Sequence, residues 1–259
     1  MQRVTDEFFQ VERKTVKTSE GDVDLPILYY DVSFYMIFTP APLEVANQML
    51  AGTGCKSVPI WLNQTLAGLV FYEYHDTSVG IYNEVGLAVA AVEEERSNPL
   101  MPLAELLIPG NYRKLAMYVI DLPVTTPQAN AAGREIWGYP KFVTDIPIRW
   151  GENRFSGEVK DSNGGSIVTM SGDIHKGFNL PAFDLTTLTN LNGKRVRTVV
   201  DVRGTIKYCL RPNVEVTVGS SSHPMADHIR QLEIGKHFPI ISGYSRHNWQ
   251  SRLNEGTFV

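Results

Sequence analysis

Residues 26–39, "PILYYDVSFYMIFT", are crowded with aromatic and β-branched side chains. Such side chains suit a pleated, half-buried backbone, so this stretch reads as a long strand. Working outward, strand signals dominate the chain. "LAGLVFYEYHD" (66–76) leads into "SVGIYNEVGLAVAAV" (78–92). "LAELLIP" (103–109) and "KLAMYVIDL" (114–122) read as a strand pair joined through Pro109-Gly110-Asn111. "VTDIPIRWG" (143–151) is followed by "NRFSGEVKDSNGGSIVTMSGDI" (153–174), where Asn163-Gly164-Gly165 between alternating segments is a hairpin signal. Late strands are expected at 196–202, 204–210 and 213–220. Fifteen prolines and twenty-one glycines, scattered along the chain, fit the many turns that so many strands require.

Helices are expected at three places. "APLEVANQML" (41–50) carries Pro42 where a first helical residue tolerates it. "TTPQANAAGREIWG" (125–138) has Thr126 as N-cap, Pro127 at the first helical position and Gly138 as terminator. A short helix follows Pro224 in "PMADHIRQLEI". With no repeat and no Pro/Gly/Ser linker, residues 1–259 read as one α+β domain. Its centre is a large, mostly antiparallel sheet that closes on itself, covered by a few helices. The tail "ISGYSRHNWQSRLNEGTFV" (241–259) is left open, as core packing, a pocket cover or a subunit contact.

A net charge of −4 with no Lys/Arg cluster argues against nucleic acid as the main partner. The longest uncharged apolar run, "VGLAVAAV" (85–92), is far short of the roughly 20 residues that cross a bilayer. The start, "MQRVTDEFFQVERK", is charged rather than secretory, so a soluble, cytoplasmic protein is expected. Cys55 and Cys209 stand far apart and read as buried thiols, and the six histidines show no zinc-like spacing. No phosphate-binding loop, HExxH or Gly-x-Ser-x-Gly elbow is present. No metal and no organic cofactor is expected.

"GREIWGYPKF" (133–142) surrounds Lys141 with Trp137, Tyr139, Pro140 and Phe142. A lysine in an apolar collar is either a surface chain laying its methylenes along a ring or an amine whose pKa is lowered by desolvation. The residue before a proline is pushed out of helical space, so the chain leaves the helix in a fixed direction and Lys141 is held by rigid backbone. That suits a reactive group.

Three stretches then fall into one pattern: His75-Asp76-Thr77-Ser78 with Tyr82-Asn83-Glu84, Gly133-Arg134-Glu135 with Tyr139-Pro140-Lys141, and Ser221-Ser222-His223 with Ala226-Asp227. Together, from about residue 25 to about 230, they resemble the acetoacetate decarboxylase family. The resemblance implies a closed, cone-like β fold, a homo-oligomer, and a Schiff base between Lys141 and a keto acid substrate, with Glu84 handling protons. The activated lysine of this family is a known example of nucleophile tuning. Decarboxylation of a β-keto acid leads. An aldolase-dehydratase condensing an α-keto acid such as pyruvate with an aldehyde is the runner-up, and a non-catalytic β-barrel binder is the rival of another class. Arg134, Tyr82, Met117, Trp137 and Tyr139 are the expected substrate-binding residues.

The pattern is incomplete. Where the family's decarboxylase has a second lysine, this chain has Phe142, so desolvation by Trp137, Tyr139 and Phe142 has to do that work. The family's upstream glutamate falls on Val70, with Glu73 nearby but expected to point differently along a strand. The family's arginine falls at about Tyr30–Asp31, and no arginine lies between Arg13 and Arg96. The tyrosines Tyr29, Tyr30, Tyr72, Tyr74 and Tyr82 are candidate replacement donors.

Overall fold

The computed structural model describes residues 6–259. The charged start at Met1–Thr5, part of the reading against a leader, lies outside the described residues. In chain order the strands are β1 (Lys14–Thr18), β2 (Gly21–Leu25), β3 (Ile27–Pro42), β4 (Cys55–Ser57), β5 (Gln64–Thr77), β6 (Tyr82–Glu93), β7 (Ala116–Asp121) and β8 (Ile148–Trp150). They continue with β9 (Arg154–Lys160), β10 (Ser166–Asp173), β11 (Phe178–Pro181), β12 (Leu185–Leu191), β13 (Lys194–Leu210), β14 (Val214–Val218), β15 (Ile241–Leu253) and β16 (Thr257–Phe258). The helices are α1 (Leu43–Met49), α2 (Pro127–Trp137) and α3 (Pro224–Gln231). With 53% strand, this is a mostly-sheet α+β fold.

The main sheet runs β13-β12-β7-β6-β5-β3-β15, and β15 pairs back with β13, so the path of strands forms a ring. All the pairs are antiparallel except β7 with β12, which is parallel. The tail thus closes the ring: Ile241–Leu253 lies between β3 and β13. A second sheet, β14-β10-β9-β8, packs on one face of the ring with α1 and α3.

Which face is which follows from the period of two along a strand. Ile37, Leu69, Phe71, Val85, Leu87 and Val89 share one cluster with Phe155 and Ile167 of the second sheet, and so face outward. The alternate positions come together from opposite sides of the ring: Tyr82 and Val119 share a cluster with Ile206, Tyr208 and Trp249. That face is the inside.

Several expectations change. Residues 102–107 form a short 3-10 turn, not a strand, with Pro102 in its first turn. The Glu105 carboxylate accepts from the Lys114 and Leu115 backbone N–H groups at 2.6 and 3.1 Å, replacing ladder partners with a side-chain cap. The two late strands expected at 196–202 and 204–210 are one continuous β13, bent where the register shifts between Gly204 and Lys207. Residues 143–151 are mostly irregular before the short β8. Cys55 is buried as expected, whereas Cys209 is only half-buried. α2, α3 and the 161–165 hairpin loop fall where the caps and turn residues place them, whereas α1 begins at Leu43 with Pro42 as its extended N-cap rather than its first helical residue.

Candidate active site

Lys141 and Glu84 meet because three pieces of backbone lie side by side. Glu84 bridges Val124 in antiparallel register, and Val124 bridges Val143 in parallel register. The hydrogen bonds are Val85 N–H to Pro123 O (3.0 Å), Leu122 N–H to Pro140 O (3.1 Å) and Val124 N–H to Phe142 O (2.9 Å). The lysine loop is therefore sewn onto the start of β6 rather than hung in solvent.

Helix α2 supplies the approach. The Thr126 side chain accepts from Ala129 N–H, and Gly138 terminates the helix at φ +69°. A side chain is strained at that φ, and a Cβ there would also overlap the Asn190 carbonyl, so glycine is required twice over. Gly138 N–H and Tyr139 N–H then bond back to the Arg134 and Gly133 carbonyls at 3.2 and 3.0 Å. Past Pro140, the Lys141 side chain runs back across Gly133, close enough that a Cβ on Gly133 would overlap its Cδ and Cε.

The Lys141 Nζ ends 2.5 Å from Glu84 Oε2, with the two residues only 7% and 6% exposed. Around the pair stands a wall of tyrosines. Tyr74 Oη donates to Glu84 Oε1 at 3.1 Å, Tyr29 and Tyr82 join hydroxyls at 3.1 Å, and Tyr139 Oη meets Thr187 Oγ1 at 2.8 Å. The ammonium lies 5.8 Å from the Tyr82 ring centroid and 6.0 Å from that of Tyr139, within reach of a cation–π contact. Burial, with the nearby Glu84 charge adding to it, pushes the phenols of Tyr29, Tyr72, Tyr74 and Tyr82 far up, and that of Tyr139 up to about 12. These phenols stay neutral and protonated at any physiological pH, so they can serve as hydrogen-bond donors.

Of the expected site residues, Lys141, Glu84, Tyr82 and Tyr139 are brought together. Trp137 is fully buried behind Tyr139, its indole N–H donating to Asn254 O at 3.0 Å. Arg134 is exposed on α2 and donates to the Lys141 backbone carbonyl at 3.2 Å, so it clamps the loop from outside. Met117 faces inward but pairs with Ala90, six residues along β6 from Glu84, which is roughly 20 Å away. Phe142 also departs from the expected collar: its ring packs on His223, 4.3 Å between centroids, on the outer side. Successive residues of an extended segment point to opposite faces, so Lys141 and Phe142 do not share a pocket.

The replaced family positions are placed as well. Val70 stands on the inner face, where it pairs with Gly86, whereas Glu73 turns outward and accepts from the Trp150 indole at 3.0 Å. Tyr30 packs on Phe9 and Asp31 holds His247, so neither takes the arginine's place. Tyr29, one residue earlier, reaches in. Tyr29 and Tyr74, two of the five tyrosines expected as replacement donors, are the parts of the wall that lie outside the three motif stretches. Their signal is the alternation Tyr72-x-Tyr74 opposite Tyr82-x-Glu84, since β5 and β6 pair Tyr74 with Tyr82 and Tyr72 with Glu84. Among the described residues no group of three or more His, Cys, Asp or Glu side chains is placed to hold a metal ion.

A sequence profile of the acetoacetate decarboxylase (ADC) family matches residues 39–234. The chain belongs to the acetoacetate decarboxylase family. The fold agrees. An acetoacetate decarboxylase from Legionella pneumophila is 16% identical and superposes with a TM-score of 0.64, covering 100% of this chain and 96% of its own. An acetoacetate decarboxylase-like enzyme from Sphingomonas wittichii RW1 is 12% identical with a TM-score of 0.58, covering 92% of this chain and 94% of its own. The enduracididine biosynthesis enzyme MppR, in complex with the condensation product of pyruvate and imidazole 4-carboxaldehyde, is 13% identical with a TM-score of 0.62, covering 91% and 90%. No curated protein sequence matches the chain. At these identities the superpositions speak for the fold. The matched residues stop at 234, before β15, the strand that closes the ring here. No helix among the described residues is long and apolar enough to cross a membrane.

Proposed function

We propose that this decarboxylase-family chain is a Schiff-base lyase acting on a small or medium keto acid, with Lys141 as the nucleophile in a closed, cone-like sheet. The observation that carries the reading is the buried Lys141–Glu84 pair at 2.5 Å. Stripping two charges of water is unfavourable even when they pair, so a hydrophobic pair would serve stability as well or better. A buried pair beside a half-open inner face fits chemistry better than packing.

The pair also supplies the first proton transfer. An ammonium is no nucleophile, and Glu84 is positioned to take a proton from Lys141 Nζ as the amine attacks the ketone carbon. Glu84 hands that proton to the carbinolamine hydroxyl, which leaves as water to give a protonated imine. With a β-keto acid, the C–C bond to the carboxylate breaks, CO2 leaves, and its electron pair is taken up by the imine to form an enamine. A solvent proton passed through Glu84 to that carbon and attack of water on the imine release the ketone and the amine. Loss of a proton from an imine of pyruvate gives instead an enamine that attacks an aldehyde carbon. Val70, in place of a second inner carboxylate beside Glu84, favours this second reading.

Borohydride trapping decides between them. With acetoacetate, an adduct on Lys141 with the mass of a reduced acetone imine supports decarboxylation. An adduct from pyruvate with nothing from acetoacetate supports the aldolase-dehydratase. No adduct from either, or adducts that persist in Lys141→Ala, would overturn Schiff-base catalysis at this residue and favour the binder.

A further inference from the structure

A keto acid brings a carboxylate, and the inner face offers it no second cation. Strands β3, β5, β6, β7 and β12 contain no lysine or arginine. On β13 and β15, Arg195, Arg197, Arg203 and Arg252 are engaged by Glu95, Glu93, Asp6 and Asp201. Lys194 and Arg246 lie over the Phe258 and Trp150 rings, and Lys207 sits opposite the outward Tyr244, between the inward Ile206 and Tyr208. Arg134 is committed to the Lys141 carbonyl on the outside. The carboxylate must be met by neutral donors.

Five tyrosines feel the charge of Glu84, and four of them have hydroxyls already in use: Tyr29 with Tyr82, Tyr74 on Glu84, and Tyr139 with Thr187. The fifth is Tyr72. Its hydroxyl has no hydrogen-bond partner among the described residues, and it is half-buried rather than sealed. It stands directly opposite Glu84 in the β5–β6 register, which sets their Cβ atoms about 5 Å apart on the same face. Its ring is locked: it stacks on Tyr74 at 5.5 Å and 12°, and packs on Phe34 at 5.7 Å and Trp249 at 6.1 Å. The inner residues next to it, Met36 and Val70, are likewise half-buried although they face the inside of a ring. An inward side chain with accessible surface borders internal space, so Tyr72 fronts the room a substrate would use.

Building on the keto acid reading, we infer that Tyr72 is the residue that receives the substrate carboxylate, its phenol donating to one oxygen while the carbonyl carbon sits against Lys141 Nζ. A neutral donor suits the place. An arginine beside Lys141 and Glu84 would compete for Glu84, whereas a phenol kept protonated by burial donates without unsettling the ion pair. The substrate class follows: an oxo acid whose carboxylate lies within a carbon or two of the ketone, with its remaining body along the apolar inner wall of Met36 and Val70.

The test compares pyruvate with methyl pyruvate, which has the same ketone and no charge, in wild type and Tyr72→Phe. Half-saturation is read from borohydride trapping and, separately, from calorimetric binding. The variant keeps the ring and its packing, and the lost hydroxyl has no protein partner, so the melting temperature should not move. The expected result is a loss of roughly tenfold or more in pyruvate half-saturation with methyl pyruvate unchanged. Equal pyruvate half-saturation in both proteins overturns the assignment, as does a loss shared equally by pyruvate and methyl pyruvate. If wild type binds pyruvate calorimetrically in a Tyr72-dependent way but traps no imine, the Schiff-base reading fails and the carboxylate assignment stands. If imine forms without that dependence, only the assignment fails.

Discussion

Gly133 lies directly under the Lys141 side chain: a Cβ built on the glycine would overlap Cδ and Cε of the lysine and come within 3.2 Å of Nζ. The helix that precedes the loop is thus shaped to let its lysine fold back over it. Alanine at 133 would gain up to about 1 kcal/mol in helix propensity but overpack the lysine by about 1–3 kcal/mol. Gly133→Ala should therefore leave the melting temperature within a few degrees of wild type while slowing imine trapping at least tenfold. Trapping at the wild-type rate would show that the lysine has a second path to the site.

Arg134→Ala separates a clamp from a substrate ligand. The guanidinium is exposed and its bond goes to the Lys141 carbonyl. Losing one such bond at the surface is worth about 0.5–1 kcal/mol, so the expected outcome is a small drop in melting temperature with KM for the keto acid within about twofold. A KM raised tenfold at unchanged kcat would put Arg134 on the substrate carboxylate instead, against the placement described above.

Much of this was legible in the sequence, and the exceptions have physical causes. Pro127, Thr126 and Gly138 define α2 because a cap, a missing N–H and a positive φ leave little choice of residue. Lys141 and Glu84 lie in the stretches that carry the resemblance, and the structure brings them within 2.5 Å. β15 was not legible as a strand because Gly243, Ser245 and Ser251 interrupt its inward row between Ile241, Trp249 and Leu253 and break the hydrophobic alternation. The same holds for the 3-10 turn at 102–107, where apolar composition suggests a strand and Glu105 overrides it by capping Lys114 and Leu115. Phe142 misleads for a simpler reason: adjacency in sequence is read as adjacency in space, and an extended segment reverses it.

Tyr74 holds Oε1 of Glu84 while Lys141 holds Oε2. On the proposed mechanism, its hydroxyl fixes the carboxylate's orientation for delivering a proton to the enamine carbon. Tyr74→Phe keeps the stack on Tyr72 and the tilted contact with Tyr82 and removes only this bond. A hydrogen bond to a charged group is worth about 1.5–3 kcal/mol, so turnover should fall by roughly tenfold or more while imine still forms at saturating keto acid. Loss of trapping in step with turnover would mean that Tyr74 acts on Lys141 itself and not on the later protonation.

The buried Asp121 sits at the end of β7, one residue before Leu122, whose N–H holds the Pro140 carbonyl beside Lys141. His228 of α3 reaches it at 2.7 Å, and that bond, with the Asp227 charge adding to it, raises the imidazole above its ordinary value. Burial raises Asp121 as well, outweighing the two histidines that face it, His228 and His223. A histidine raised on folding contributes stability that is fully present below its unfolded value of about 6.5 and fades as pH climbs through the higher folded value. Above that, Asp121 is left buried and ionised beside a neutral ring. His228→Ala should therefore destabilise the protein more at pH 6 than at pH 9. With the imidazole about a third exposed, the difference should be modest: about 1 kcal/mol, or roughly 3 °C in melting temperature. Asp121→Asn should erase the pH dependence of the effect. A His228→Ala penalty that is equal at both pH values would show that the helix is held by packing of α3 alone and that the pair contributes no charge.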